Sequence, residues 1–219
     1  MSSGPVVRVV DDPDAECAQS IARRLNAAIR RRGSATLAVS GGSSAPPMLA
    51  ILAALDVPWP KVGVWQVDER VAPDGDDSRN ANQLAGFPGR HRLMPVTDPD
   101  LVKAAKRYAR TLPERFDVVH LGLGDDGHTA SWPPGDPVID RTEPVALSQA
   151  YQGHVRMTLT PGVVNAATGR VVLTRGAGKA AALASWLDPA DGPAPPIARL
   201  RATRTVVFTD AAAGIGNRG

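Results

Sequence analysis

Short apolar runs alternate with amphipathic stretches along this chain, and the rhythm lays out its elements. Val6 to Val10 reads as a first strand. From Asp14 to Arg32 the apolar residues fall at Ala18, Ile21, Ala22, Leu25, Ala28 and Ile29, which is helical spacing, and Gly33 closes the segment. Thr36 to Val39 is a strand of the buried type, and after Ser40-Gly41-Gly42-Ser43-Ser44 a helix runs from about Pro47 to Leu55. Val62 to Val67 is the next strand, with Asp68-Glu69-Arg70 at its end. Ala72 to Asn82 is polar and turn-rich, and a short helix then leads to a loop near Arg90. Pro99 to Leu112 reads as helix and Phe116 to Leu123 as strand. Thr129 to Ala150 is loop-rich, with Val145-Ala146-Leu147 a short strand inside it. Val155 to Thr160 and Val171 to Thr174 are strands, separated by a helical turn at Val163 to Ala166. Ala180 to Leu187 is helix, Pro189 to Pro196 a Pro-rich loop, and Thr205 to Phe208 the last strand.

Strands alternating with helices, and apolar throughout rather than amphipathic, predict an α/β fold. Its sheet is mainly parallel and Rossmann-like, with helices on both faces. The 219 residues show no internal repeat and are read as one domain, 1–219. In such sheets ligands bind beyond the carboxyl ends of the strands, so turns far apart in sequence converge on one cleft.

Composition narrows the reading by exclusion. The single cysteine, Cys17, excludes an internal disulfide framework and any multi-cysteine metal site, and its helical position suits a small core or surface residue. No apolar span or signal-peptide pattern stands out, so a soluble, cytoplasmic protein with no membrane partner is expected. The net charge of +3 is dispersed, and Arg30-Arg31-Arg32 is the one basic run. It reads as the solvated end of a helix, and no nucleic-acid partner is expected. No histidine pair has ligand spacing, so no metal or cofactor is required, although a carboxylate-bound Mg²⁺ stays open.

Four turns carry the chemistry. Ser40-Gly41-Gly42-Ser43-Ser44 lets backbone amides approach an anion at a helix start, or else simply caps that helix. Asp68-Glu69-Arg70 puts two acids and a guanidinium after a buried strand, fit to orient a base, hold hydroxyls or clamp an oxyanion, or only to form a local ion pair. Gly122, Gly124 and Gly127 match a dinucleotide fingerprint. Yet Asp125 and Asp126 would repel a pyrophosphate, and Trp132-Pro133-Pro134-Gly135 stops any helix soon after Ser131. That turn is better read as presenting His128, a residue suited to general-base work; His91, His120 and His154 have no comparable setting. Arg175-Gly176-Ala177-Gly178-Lys179 opens a helix with a cation where the dipole disfavours one, unless an anion joins it, and Arg156 on the preceding strand is a second cation.

In order, Ser40 to Ser44, Asp68-Glu69-Arg70-Val71-Ala72-Pro73, Gly122 to Ser131, Arg156 to Thr160 and Gly176 to Ala180 resemble the motifs of the 6-phosphogluconolactonase family, within the wider group that includes glucosamine-6-phosphate deaminase. The matches span residues 37–183, and the D-G-H-T-A-S portion is the most specific. Three positions depart from the family pattern. Ala45 stands where it has Pro, Arg79 parts Ser78 from Asn80 and leaves the role of Asn80 open, and Trp132-Pro133 replaces Leu-Phe.

The resemblance implies a sugar-phosphate isomerase/deaminase type of fold and the hydrolysis of 6-phospho-D-glucono-1,5-lactone to 6-phosphogluconate in the oxidative pentose phosphate pathway. His128 is then the general base, Asp68 orients it or holds a sugar hydroxyl, and Arg70 serves either the phosphate or the oxyanion. Gly41, Gly42, Ser43, Arg156 and Lys179 make the phosphate pocket. The deaminase relatives carry a Glu after the His turn that is missing near Ser131, which favours lactone hydrolysis. A deaminase or isomerase on the same fold is the alternative. A non-catalytic sugar-phosphate binder follows, and a dinucleotide-dependent oxidoreductase comes last. The expected assembly is a monomer or homodimer.

Overall fold

The computed structural model describes residues 4–188 and 193–213. The apolar runs become the strands β1 (Val6–Val9), β2 (Ala35–Val39), β3 (Val62–Gln66), β4 (Asp68–Arg70), β5 (Arg90–Arg92), β6 (Val118–Gly122), β7 (Val145–Leu147), β8 (Arg156–Leu159), β9 (Arg170–Leu173) and β10 (Thr205–Thr209). Seven of them form one sheet in the order β1-β10-β9-β6-β2-β3-β5, parallel throughout. The remaining three make a small antiparallel sheet, β4-β8-β7.

The helices are α1 (Pro13–Arg32), α2 (Ala45–Ala54), α3 (Leu101–Ala109), α4 (Pro161–Ala166) and α5 (Ala180–Leu187). α1 begins where the Asp12 carboxylate accepts from the Ala15 N–H at 3.0 Å, and ends at Gly33, whose φ of 80° only glycine adopts without strain. Its apolar stripe (Ile21, Leu25, Ile29) and α2 cover one face of the sheet with Leu37, Val64, Val118 and Phe208. The other face meets α3, α5 and the small sheet through Trp65, Tyr108, Val119, Leu121, Met157 and Trp186. Alternate residues of β6 enter opposite layers, as a strand covered on both faces requires. None of the described helices is long and apolar enough to cross a membrane.

Three local differences from the sequence reading have physical causes. β5, Arg90-His91-Arg92, has no apolar pattern and exists because β3 offers it an edge to pair with. The run expected to end at Val67 divides there: Val67 N donates to Val39 O at 2.8 Å, and Val67 O accepts from Leu159 N at 2.8 Å. One residue thus hands the chain from the large sheet to the small one. The short helix expected after Asn82 is a 3-10 turn at Asn80–Leu84. Residues 189–192 of the expected Pro-rich loop lie outside the described residues.

Candidate active site

β9, β6 and β2 lie side by side and run in the same direction, so the turns after them meet at one end of the sheet. β4 and β8 close the side. Together they line a cavity of about 370 Å³ that takes in every residue nominated from the sequence: Gly41, Gly42, Ser43, Asp68, Arg70, His128, Arg156 and Lys179. Thr174, Arg175 and Gln152 line it as well.

The turn after β6 is shaped for His128. Gly124 N donates to His128 O at 2.8 Å and Gly127 N to Gly124 O at 3.1 Å. A Cβ on Gly124 would collide with His128 Nδ1, and Gly127 sits at φ 83° with Pro195 where a Cβ would go, so both positions demand glycine. Thr129 and Trp132 then form an isolated bridge instead of a helix, so the anion site that a dinucleotide fingerprint needs is not built here.

The orienting carboxylate is Asp126, and this corrects the expectation for Asp68. Asp126 Oδ1 lies 2.6 Å from His128 Nδ1 and accepts from the His128 N–H at 3.1 Å, while Oδ2 accepts from Tyr151 Oη at 2.6 Å. Asp68 is buried with both oxygens engaged, by Ser40 Oγ at 2.9 Å and Ser131 Oγ at 2.7 Å. Its carboxylate ties the turn after β2 to the turn after β6, where a sugar hydroxyl can exchange for either serine. Burial alone would raise the Asp126 carboxyl, but the hydrogen bonds from Tyr151 and His128 outweigh it and hold the group below its ordinary range. The Tyr151 hydroxyl is pushed up to about 12, first by burial and then by its bond to Asp126. With Asp126 ionised, Nδ1 is the protonated nitrogen, and Nε2 carries the lone pair.

Cations occupy the opposite wall. Arg70 and Arg156 face each other directly across the β4–β8 pair, a like-charge juxtaposition that favours an anion between them. Arg70 Nη1 donates to Ser78 O at 2.6 Å. Arg156 is buried, stacks 5.0 Å from the Tyr151 ring centre and donates to Gln152 Oε1 at 3.1 Å. Its guanidinium is shifted down by burial and by Arg70. Lys179 Nζ lies 3.2 Å from Asp125 Oδ1, an exposed acid that an incoming anion can displace. The anion that this turn already holds is Asp210, whose carboxylate accepts from Gly176 N at 2.9 Å.

The turn after β2 carries N–H donors in the loop rather than in the helix. Pro46 and Pro47 remove the donors of the first turn of α2, and Ala45 N is spent on Gly42 O. Donors for an anion therefore come from Gly42, Ser43 and Ser44, whose N–H groups make no hydrogen bond among the described residues. Ser44, although at the N-cap, makes no capping bond with its side chain. Gly41 packs so closely on the Asn80 amide that a Cβ there would overlap it.

A family model of glucosamine-6-phosphate isomerases/6-phosphogluconolactonase matches residues 11–209. The chain belongs to this family. A 6-phosphogluconolactonase from Nostoc sp. is 32% identical over 204 residues, covering 84% of this chain and 85% of the relative. One from Pseudomonas aeruginosa is 32% identical over 213 residues, covering 86% and 87%. The crystal structure of a 6-phosphogluconolactonase from Shewanella baltica superposes with a TM-score of 0.85 at 26% identity, over 96% of this chain and 98% of that one.

Two departures from the family pattern acquire structural roles. Arg79, inserted between Ser78 and Asn80, is buried and ion-paired with Glu69 at 3.2 Å. Asn80 keeps a task of its own: its Nδ2 donates to Asp68 O at 2.9 Å. Glu69, the second acid of the Asp68-Glu69-Arg70 run, turns away from the cavity. It is fully buried and accepts from Gln66 Nε2 and from the N–H groups of Arg70, Asn80 and Ala81 at 2.7 to 2.8 Å. Trp132, at 0% exposure, anchors the end of the His128 turn through Nε1 to Leu159 O at 2.8 Å.

The sequence reading missed Asp126 as a partner, Ser131 as an anchor, and Tyr151. The two-residue spacing of Asp126 and His128 was a usable signal, since an Asp side chain commonly bonds backbone two residues on. Tyr151 had none, because it lies in a segment legible only as loop.

Proposed function

We propose that this chain is a 6-phosphogluconolactonase, hydrolysing 6-phospho-D-glucono-1,5-lactone, with His128 as general base. The observation that carries the reading is the bond between Asp126 and His128 Nδ1, which leaves Nε2 for proton transfer inside a cavity walled by Arg70, Arg156 and Lys179. His128 Nε2 takes a proton from water as the oxygen attacks the lactone carbonyl. As the bond from that carbon to the ring oxygen breaks, Nε2 returns the proton to the departing oxygen, and the open acid results. Ser43, the loop N–H groups, Lys179 and Arg156 hold the phosphate, and Arg70 faces the developing oxyanion or the phosphate. Such a lactone also opens unaided, so positioning and one base supply the modest acceleration required. This activity places the chain in the oxidative pentose phosphate pathway.

The test is hydrolysis of freshly generated lactone with the spontaneous rate subtracted. His128→Ala is expected to lose kcat by roughly 10²- to 10⁴-fold, with KM changed little. Full hydrolysis by that variant, with phosphate still bound, would sink the mechanism. Release of ammonia from glucosamine 6-phosphate would point instead to the deaminase chemistry of the same family.

A further inference from the structure

At the pole of the sheet opposite the catalytic cavity, Arg115, Arg170, Arg201 and Arg204 line a second cavity of about 550 Å³ together with Asn165 and Thr203. Its floor is Arg170, 1% exposed, whose guanidinium donates to Asn165 O at 2.9 Å, Thr205 Oγ1 at 2.8 Å and Thr203 O. Every partner is neutral. Arg115, Arg170, Arg201 and Arg204 form no ion pair among the described residues. Glu114, next to Arg115 in sequence, does not line the cavity and forms no ion pair among the described residues, and Asp117 is already taken by Arg32 at 2.6 Å and by the Thr36 N–H at 2.9 Å. A buried cation without a counter-charge, under a rim of further arginines, is costly unless an anion joins them.

The rim is built rather than incidental. Asn165 fixes the segment that carries Arg201, accepting from Arg201 N and donating to Arg199 O, both at 2.8 Å. Arg204 holds a φ of 63°, an uncommon conformation for a residue with a side chain, while its carbonyl accepts from Arg170 N at 2.9 Å. Burial lowers the Arg170 pKa, and Arg201 and Arg204 lower it further, as expected of cations gathered without an acid.

We propose that this cavity binds a small anion carrying two or more linked phosphates. Guanidinium forks match phosphate oxygens in pairs, whereas the lining offers no aromatic face for a base and, apart from Ala166 and Ala167, nothing apolar for a lipid chain. Its volume is that of a small-ligand pocket rather than a flat polyanion-binding surface. The site is independent of the catalytic cavity: β6, β9 and β10 run between the two poles.

The probes are pyrophosphate and tripolyphosphate, measured by calorimetry and thermal shift on the full chain, with sulfate as the single-anion control. The expected result is saturable binding of tripolyphosphate, tighter than of sulfate. The double variant Arg201→Ala/Arg204→Gly should weaken it at least tenfold while lactone hydrolysis stays unchanged. Glycine at 204 accommodates the positive φ, so this variant is expected to fold. Lys179→Ala should retain the binding. Loss of tripolyphosphate binding in Lys179→Ala, with full binding in the double variant, would place the anion in the catalytic cavity and overturn the proposal. So would binding of duplex DNA or heparin with none of tripolyphosphate, or no binding of tripolyphosphate at millimolar concentration.

Discussion

Asp126 is gripped from three sides, by the Tyr151 hydroxyl, the His128 ring and the His128 N–H. The grip explains why a carboxylate that is only partly exposed is held below its ordinary range despite the cost of burial. Under the proposed mechanism, Asp126→Asn removes the charge that would stabilise the imidazolium formed during attack. It should lower kcat by up to about 100-fold with a small effect on KM. Tyr151→Phe deletes a donor to the ionised form, so the Asp126 pKa should rise toward the ordinary carboxylate value, read by carboxyl NMR titration. An unchanged Asp126 titration would mean that the Tyr151 bond contributes nothing. At this scale the sequence was legible in residue type but not in pairing. His128 stood out by its turn, whereas Asp126 read as a charge that repels phosphate, and Asp68 as either the partner of His128 or a holder of a sugar hydroxyl, of which its bonds to Ser40 and Ser131 disfavour the first. The distinction depends on the direction of side chains two residues apart, and spacing alone does not encode direction.

Among the elements, β4 and the turn after it form a unit centred on Glu69. Its carboxylate collects three backbone N–H groups, the Gln66 amide and the Arg79 guanidinium in a fully buried position. Glu69→Gln keeps the shape but sets an NH₂ against donors. A loss of about 3 kcal/mol is expected in chemical denaturation, because the partners are left buried and unpaired. Stability within about 0.5 kcal/mol of the parent would show that the network is dispensable. The elements themselves were largely readable: α1, β2, β6 and β9 follow apolar periodicity because packing on both faces demands it. β5 and β4 were not. Three-residue strands such as Arg90-His91-Arg92 and Asp68-Glu69-Arg70 owe their form to an available neighbour, and their own composition carries no trace of it.

For the whole molecule, acid stability should depend on His120, in the middle of the large sheet. Burial pushes its pKa down to about 4, with a contact to the Ser40 backbone offsetting only part of the effect. The unfolded chain takes up that proton near the ordinary histidine value of about 6.5, and the folded one only near 4. Its contribution is therefore complete above about pH 6.5 and is lost as pH falls toward 4, at up to ~1.4 kcal/mol per pH unit. The difference in stability between the parent and His120→Leu, followed from pH 7 to 4, should carry that slope. A flat difference would reject the assignment. The sequence left His120 as a structural or surface residue, and its full burial decides for the first; its pH role is visible only once the layers on both sides of β6 are known.

The single-residue passage at Val67 divides responsibilities within the cavity. Asp126, His128 and Lys179 ride on turns of the large sheet, whereas Arg70 and Arg156 ride on the small one. The small sheet nevertheless reaches across to the His128 turn, through Tyr151 to Asp126, Asp68 to Ser131 and Leu159 O to Trp132, so a change in it is felt on both walls of the cavity.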